Sequence, residues 1–181
     1  MLNYTRHFIL LLAAAIGLAA AGPITTVLAQ AGSSSAAAMA TEFAIYGSVH
    51  ALALVLSLKA RPSLGRRIAF VAVAAALSLA TASSSLSLLR ETGGLDRALP
   101  ILIAAAALAA LAYAYTIRRL LESSLAPRTA VLTSAACAAL VALAYPFLRH
   151  HPTGLALAIP WWLGFSGALW LRDARRAPAG K

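Results

Sequence analysis

Charge is scarce in this 181-residue sequence: 11% of its residues are Asp, Glu, Lys or Arg, and five are acidic. Soluble domains carry about 25% charged residues, so a solvated globular surface is excluded. Cysteine occurs once, at Cys137, which excludes a disulfide or a cysteine-based metal cluster within one chain. Glycine-rich phosphate loops and closely spaced carboxylates within apolar segments are absent, as is an inverted repeat joining the two halves. Those absences remove the usual pointers to nucleotide chemistry and to a repeat-built secondary transporter.

Apolar residues are what the chain has in abundance. They make up 61% of it, with a mean hydropathy of +0.83, which places it in the membrane class. The formal net charge of +10 would suit nucleic-acid binding on a soluble face. Here, however, the basic residues cluster at the ends of apolar runs, so they are read as topology signals and nucleic acid is not an expected partner. Arg outnumbers Lys and Ala is abundant, a bias that fits a GC-rich bacterial source.

Six apolar segments follow one another: Phe8 to Ala29, Ala37 to Leu58, Ile68 to Leu89, Leu99 to Ile117, Thr129 to Leu148 and Gly154 to Leu171. A bilayer core of about 30 Å requires roughly 20 apolar residues per helix, so six spans and their connectors nearly exhaust the chain. No soluble catalytic domain fits. Backbone groups in lipid must bond within their own segment, and runs without strand-like alternation do so as helices. The expected fold is therefore all-α: a single integral membrane domain over residues 1 to 181, built as a polytopic bundle of six transmembrane helices.

Connector charge sets the orientation, because cytoplasmic loops accumulate Lys and Arg. Twelve basic residues (Arg6, Lys59, Arg61, Arg66, Arg67, Arg118, Arg119, Arg128, Arg172, Arg175, Arg176 and Lys181) fall on one side, against three (Arg90, Arg97 and Arg149) on the other. Both termini are thus expected in the cytoplasm, with the chain in a bacterial inner membrane. Trp161, Trp162, Tyr145 and Phe147 then lie toward the outer face, and Trp170, Tyr113, Tyr115, Tyr4 and Phe8 toward the inner one. Each of them is suited either to anchoring at the interface or to packing within the bundle.

The first segment has a second reading. Arg6, the apolar stretch from Phe8 to Ala21, the break at Pro23 and the Ala29-Gln30-Ala31 site also describe a signal peptide, whose removal would leave five helices. Because the apolar run continues past Pro23 to Ala29, it is expected to be retained as a helix. Small residues four apart, Ala72, Ala76, Ala80 and Ser84 on the third helix and Ala130, Ser134, Ala138 and Ala142 on the fifth, mark faces that let neighbouring helices approach closely.

His50 stands roughly 4 Å inward of the bilayer midplane by helical rise, and an ionisable group at that depth is a functional candidate by default. The alternative is a neutral imidazole tied to a neighbour for packing. Glu42 and Tyr46 precede it at spacings of eight and four residues, so the three share one helix face. Depth matching offers Ser78, Tyr113, Ser134, Cys137 and Ser166 as partners. The polar run Thr81, Ser83, Ser84, Ser85 and Ser87 either wets its half of the third helix or bonds its own preceding carbonyls.

Gly164-Phe165-Ser166-Gly167 resembles the GxSG pattern of rhomboid intramembrane serine proteases. Rhomboids, however, place their catalytic His on a helix after that Ser, where this chain has none. A haem-holding bundle needs paired axial ligands; with His50 taken as the one histidine deep in a span, no haem or other cofactor is expected. His150 and His151 lack a third ligand and are read as a solvated turn, so no metal is expected either.

The stretch Tyr46 to Leu58, YGSVHALALVLSL, resembles the YHALALL-type segment of the small YgdD-like inner-membrane family, and the resemblance extends loosely across the first three helices. It implies a membrane bundle and no particular activity. Two features depart from that family: Gly22-Pro23-Ile24-Thr25 stands where it has a GAFGAH-like segment, and this chain has two more helices than the usual four. Three functions are therefore carried forward: a subunit or accessory component of a membrane complex, a small-solute or proton transporter using the Glu42, Tyr46 and His50 face, and, third, an intramembrane enzyme. The expected partners are lipid, other membrane subunits or further copies of the chain.

Overall fold

A computed structural model describes residues 3–20, 32, 35–58, 62–92, 95–121, 125–150 and 154–174. Among these residues six helices run in order: α1 (Tyr4–Ala20), α2 (Ser35–Ser57), α3 (Leu64–Thr92), α4 (Leu95–Leu120), α5 (Pro127–His150) and α6 (Gly154–Ala174). Four of them, α2 to α5, contain stretches long and apolar enough to cross a membrane, as expected of an integral membrane protein, while α1 and α6 carry the shorter apolar stretches Thr5–Ala19 and Leu157–Leu171.

The helices outrun the hydropathy that announces them. α3 begins at Leu64 and takes in Arg66 and Arg67, and α4 continues through Arg118 and Arg119 to Leu120. Hydropathy locates lipid, whereas a helix ends where its backbone hydrogen bonds end, and Arg is a good helix former. Pro127 opens α5, where its missing N–H costs nothing.

The first helix starts at Tyr4 rather than Phe8, an offset of four residues that α3 and α4 share. Asn3 explains the start: its Oδ1 accepts the Arg6 N–H at 3.2 Å, an N-cap that satisfies one of the orphan donors of the first turn. The Asn3 N–H in turn donates to the Ser57 carbonyl at 2.7 Å, fastening the beginning of α1 to the end of α2. Residues 21–31, including the Ala29-Gln30-Ala31 site and the far end of the expected first span, lie outside the described residues.

Consecutive helices from α2 to α6 pack on one another, and α1 closes the ring by packing against both α2 and α6. α2 also touches α6 across the interior. Two glycines permit the closest approaches. A Cβ at Gly47 would stand 2.6 Å from Ser78 Cβ on α3, and one at Gly164 would stand 2.9 Å from the Ala136 carbonyl oxygen on α5.

The small faces expected to mediate packing divide. On α5, Ser134 is buried and its hydroxyl donates to the Ala107 carbonyl of α4 at 3.0 Å. On α3, Ala72, Ala76, Ala80 and Ser84 are all exposed, and Phe70, Ala74 and Ala82 face inward instead. In a helix so rich in alanine, the bulky Phe70 settles which face is buried, since it removes the most apolar surface.

Candidate functional site

The centre of the ring is a pair of histidines. His50 sits seven residues before the end of α2 and His7 three residues after the start of α1, so the Asn3 to Ser57 link brings them to neighbouring levels of two antiparallel helices. Their ring centres are 5.6 Å apart, edge to face. Both side chains are removed from solvent, at 1% and 0% exposure for His7 and His50. His7 therefore revises the expectation that His50 is the one histidine deep in the bundle.

Each imidazole spends one nitrogen on a hydroxyl from a distant helix. His50 Nδ1 shares a hydrogen bond of 2.9 Å with the Tyr113 hydroxyl of α4, and His7 Nε2 shares one of 2.9 Å with Ser166 Oγ of α6. The other nitrogens, His7 Nδ1 and His50 Nε2, are buried without a hydrogen-bond partner. The Ala53 carbonyl lies close enough to interact with the His7 ring, but it also takes the Ser57 hydroxyl. Leaving a polar group unsatisfied in an apolar interior costs about 1–3 kcal/mol, so two such nitrogens on neighbouring rings call for an explanation.

Aromatic rings enclose His50. Around His50, Trp162 stacks at 6.1 Å, while Trp161 at 5.3 Å and Phe165 at 5.7 Å meet it edge-on. Trp161 and Trp162 therefore pack within the bundle, whereas Trp170, Tyr115 and Phe147 are exposed. The Trp161 indole N–H donates to the Ala106 carbonyl at 3.2 Å. Cys137 Sγ lies 3.4 Å from the Trp161 carbonyl, behind this wall of rings.

The remaining candidates divide by level. Toward the start of α2, Glu42 is 4% exposed and accepts the Tyr46 hydroxyl at Oε1; its carboxylate is enclosed by protein. Tyr46 reaches the histidine level through Trp162, whose ring lies 6.3 Å from that of Tyr46, and its hydroxyl bonds Glu42 rather than His50. Ser78 stands against Gly47 and lines a cavity of about 150 Å³ with Tyr46, Thr81, Ser85 and Leu102, floored by Tyr113, Trp161 and Trp162. Ser134 bonds α4 and takes no part in the site. Thr81 and Ser87 bond the Leu77 and Ser83 carbonyls of their own helix.

Ser166 is in the centre, though its partner is His7 rather than His50. A histidine on an earlier helix thus meets the serine of the GxSG segment, which the sequence order did not anticipate. Neither Ser166 nor His7 lines the cavity, and Ser166 is buried. A hydrolytic reading has no substrate access at this serine.

One signal for His7 was present in the sequence: Asn3, a favoured N-cap residue, placed just before Tyr4. Starting the helix there puts His7 one turn inside rather than at the water interface. Among the described residues no three His, Cys, Asp or Glu side chains cluster as a metal-holding group. Comparison of the chain with protein-family models, with curated proteins and with solved structures yields no match.

Proposed function

We propose that this chain is a small multi-pass protein of the bacterial inner membrane, with both termini cytoplasmic, that moves a small solute or a proton through its helix ring. The observation that carries the proposal is the buried His7 and His50 pair with its two unpartnered nitrogens. Ionisable groups deep in a membrane bundle are costly and mark pathways for ions or protons. Glu42 and Tyr46 supply a second polar station toward the start of α2, and Trp162, lying between the stations, is placed to gate passage from one to the other. In liposomes loaded with a pH-sensitive dye, the reconstituted protein should dissipate an imposed proton or solute gradient. His50→Gln should abolish that flux while leaving insertion intact, because Gln hydrogen-bonds but does not titrate. A flux unchanged in His50→Gln would refute a transport role for the pair. Reporter fusions after Arg67, Arg119 and Lys181 test the orientation, and an outside signal at Lys181 would overturn it.

A second reading, subunit of a larger membrane complex, is favoured by a separate feature. Between α5 and α6 the outer surface of the ring carries a groove floored by Ala136, Gly164, Gly167 and Ala168 and edged by Leu132 and Leu163. Small residues let a partner helix approach closely in lipid. Extraction in mild detergent separates the two readings: a stoichiometric partner supports the subunit, and a lone chain or homo-oligomer with flux supports the transporter.

A further inference from the structure

We infer that His7 and His50 together form a binding site for one cuprous ion, held between His7 Nδ1 and His50 Nε2. The inference deepens the transport proposal by naming its solute, although binding itself depends only on the histidine pair. When Ser166 Oγ and Tyr113 Oη act as acceptors, the ring protons sit on His7 Nε2 and His50 Nδ1. The two buried nitrogens without partners are then bare lone pairs. A buried lone pair requires a Lewis acid or a donor, and neither nitrogen has one. Hydrogen-bonding the far nitrogen is also how metal-ligating histidines are held in the correct tautomer.

The spacing fits. With a metal–nitrogen distance of about 2.0 Å, each ring centre lies about 3.2 Å from the metal, so two histidines on one ion have ring centres roughly 5.2 Å apart at a tetrahedral angle and 6.4 Å apart when linear. The observed separation of 5.6 Å falls between those limits. Zinc and other divalent ions prefer three or four ligands, usually with an anionic one to offset the second charge, and no third His, Cys, Asp or Glu joins this pair among the described residues. Glu42 stands eight residues away along α2, a rise of about 12 Å. Cuprous ion is a soft monocation that accepts two neutral nitrogen ligands and releases no proton on binding here. The faces of Trp161, Trp162 and Phe165 around His50 would favour a single positive charge through their quadrupoles.

The test uses the full-length protein in detergent, kept reduced with ascorbate, in competition with bicinchoninate for Cu(I). One Cu(I) per chain should transfer to the protein, and Cu(I) or Ag(I) should raise its thermal midpoint while Zn(II) does not. His7→Gln or His50→Gln should weaken binding more than about 100-fold and Ser166→Ala about 10-fold, the larger loss being that of a ligand and the smaller that of its support. The double substitution His150→Gln with His151→Gln should leave binding unchanged. X-ray absorption of the loaded wild type should show nitrogen ligands at about 2.0 Å, a readout that does not depend on any variant folding. Absence of stoichiometric uptake, a sulfur ligand, uptake retained in both single histidine variants, or uptake lost only with His150 and His151 would each overturn the site. Proton flux that depends on His50 without copper uptake would overturn the cuprous assignment alone, whereas uptake without flux of either ion would overturn the transport proposal.

Discussion

Two levels of the same interior solve the problem of polar groups in an apolar bundle in different ways. At the level of Glu42 and Tyr46, interior hydrogen bonds stay within one helix: Tyr46 to Glu42 and Thr81 to Leu77 are each four residues apart. At the histidine level they join helices far apart in sequence, over 63 residues for His50 with Tyr113 and 159 for His7 with Ser166. A local bond forms as soon as its helix forms and says little about neighbours. A long-range bond specifies which helices meet and in what register, so the histidine level should carry the packing specificity of the ring and the Glu42 level should tolerate change.

Substitution at the two levels should separate them, with unfolding followed by SDS titration in mixed micelles. The largest effect is expected at Gly164, where any side chain meets α5 backbone: Gly164→Leu should cost about 3 kcal/mol by forcing α5 and α6 apart. His50→Leu should cost about 1–2 kcal/mol, because it strands the Tyr113 hydroxyl. Should His50→Leu prove both stable and active, the contrast between levels would collapse and His50 would be incidental. Tyr113→Phe removes the same bond from the other side and should cost about 1 kcal/mol; a double-mutant cycle with His50→Gln should show that the losses are not additive. Thr81→Val deletes only a bond within its own helix, and its effect should stay below about 0.5 kcal/mol. A Thr81→Val loss as large as that of Tyr113→Phe would show that local bonds also fix the ring.

The same contrast explains what could be read from the residues. The starts of the six helices were legible to within four residues, because lipid demands long apolar runs and each run is a local property. At α1 hydropathy alone points to Phe8, whereas the Asn3 cap and its bond to Ser57 set the true start. In the candidate site, the alignment of Glu42, Tyr46 and His50 on one face follows from helical spacing, and the bond between Tyr113 and His50 from depth matching. Depth alone offers Ser166 to His50 as one of several partners, whereas its hydroxyl meets His7, since nothing local to either residue reveals that α1 closes the ring against α6. Trp161 and Trp162 are an instance of the same limit: their position near a helix end fits interface and interior equally well, and only the neighbours decide.

Ring closure by α1 has a consequence for biosynthesis. Helix α1 finds its final neighbour only after α6 has been made, for Ser166, Trp161, Trp162 and Phe165 all belong to α6. Until then His7 has no Ser166 and His50 lacks three of its enclosing rings. A chain interrupted after α5 would insert most of its spans yet leave two histidines open to lipid or to water entering through the gap. Synthesis of α6 therefore completes the centre, bringing Ser166 to His7 and three rings to His50.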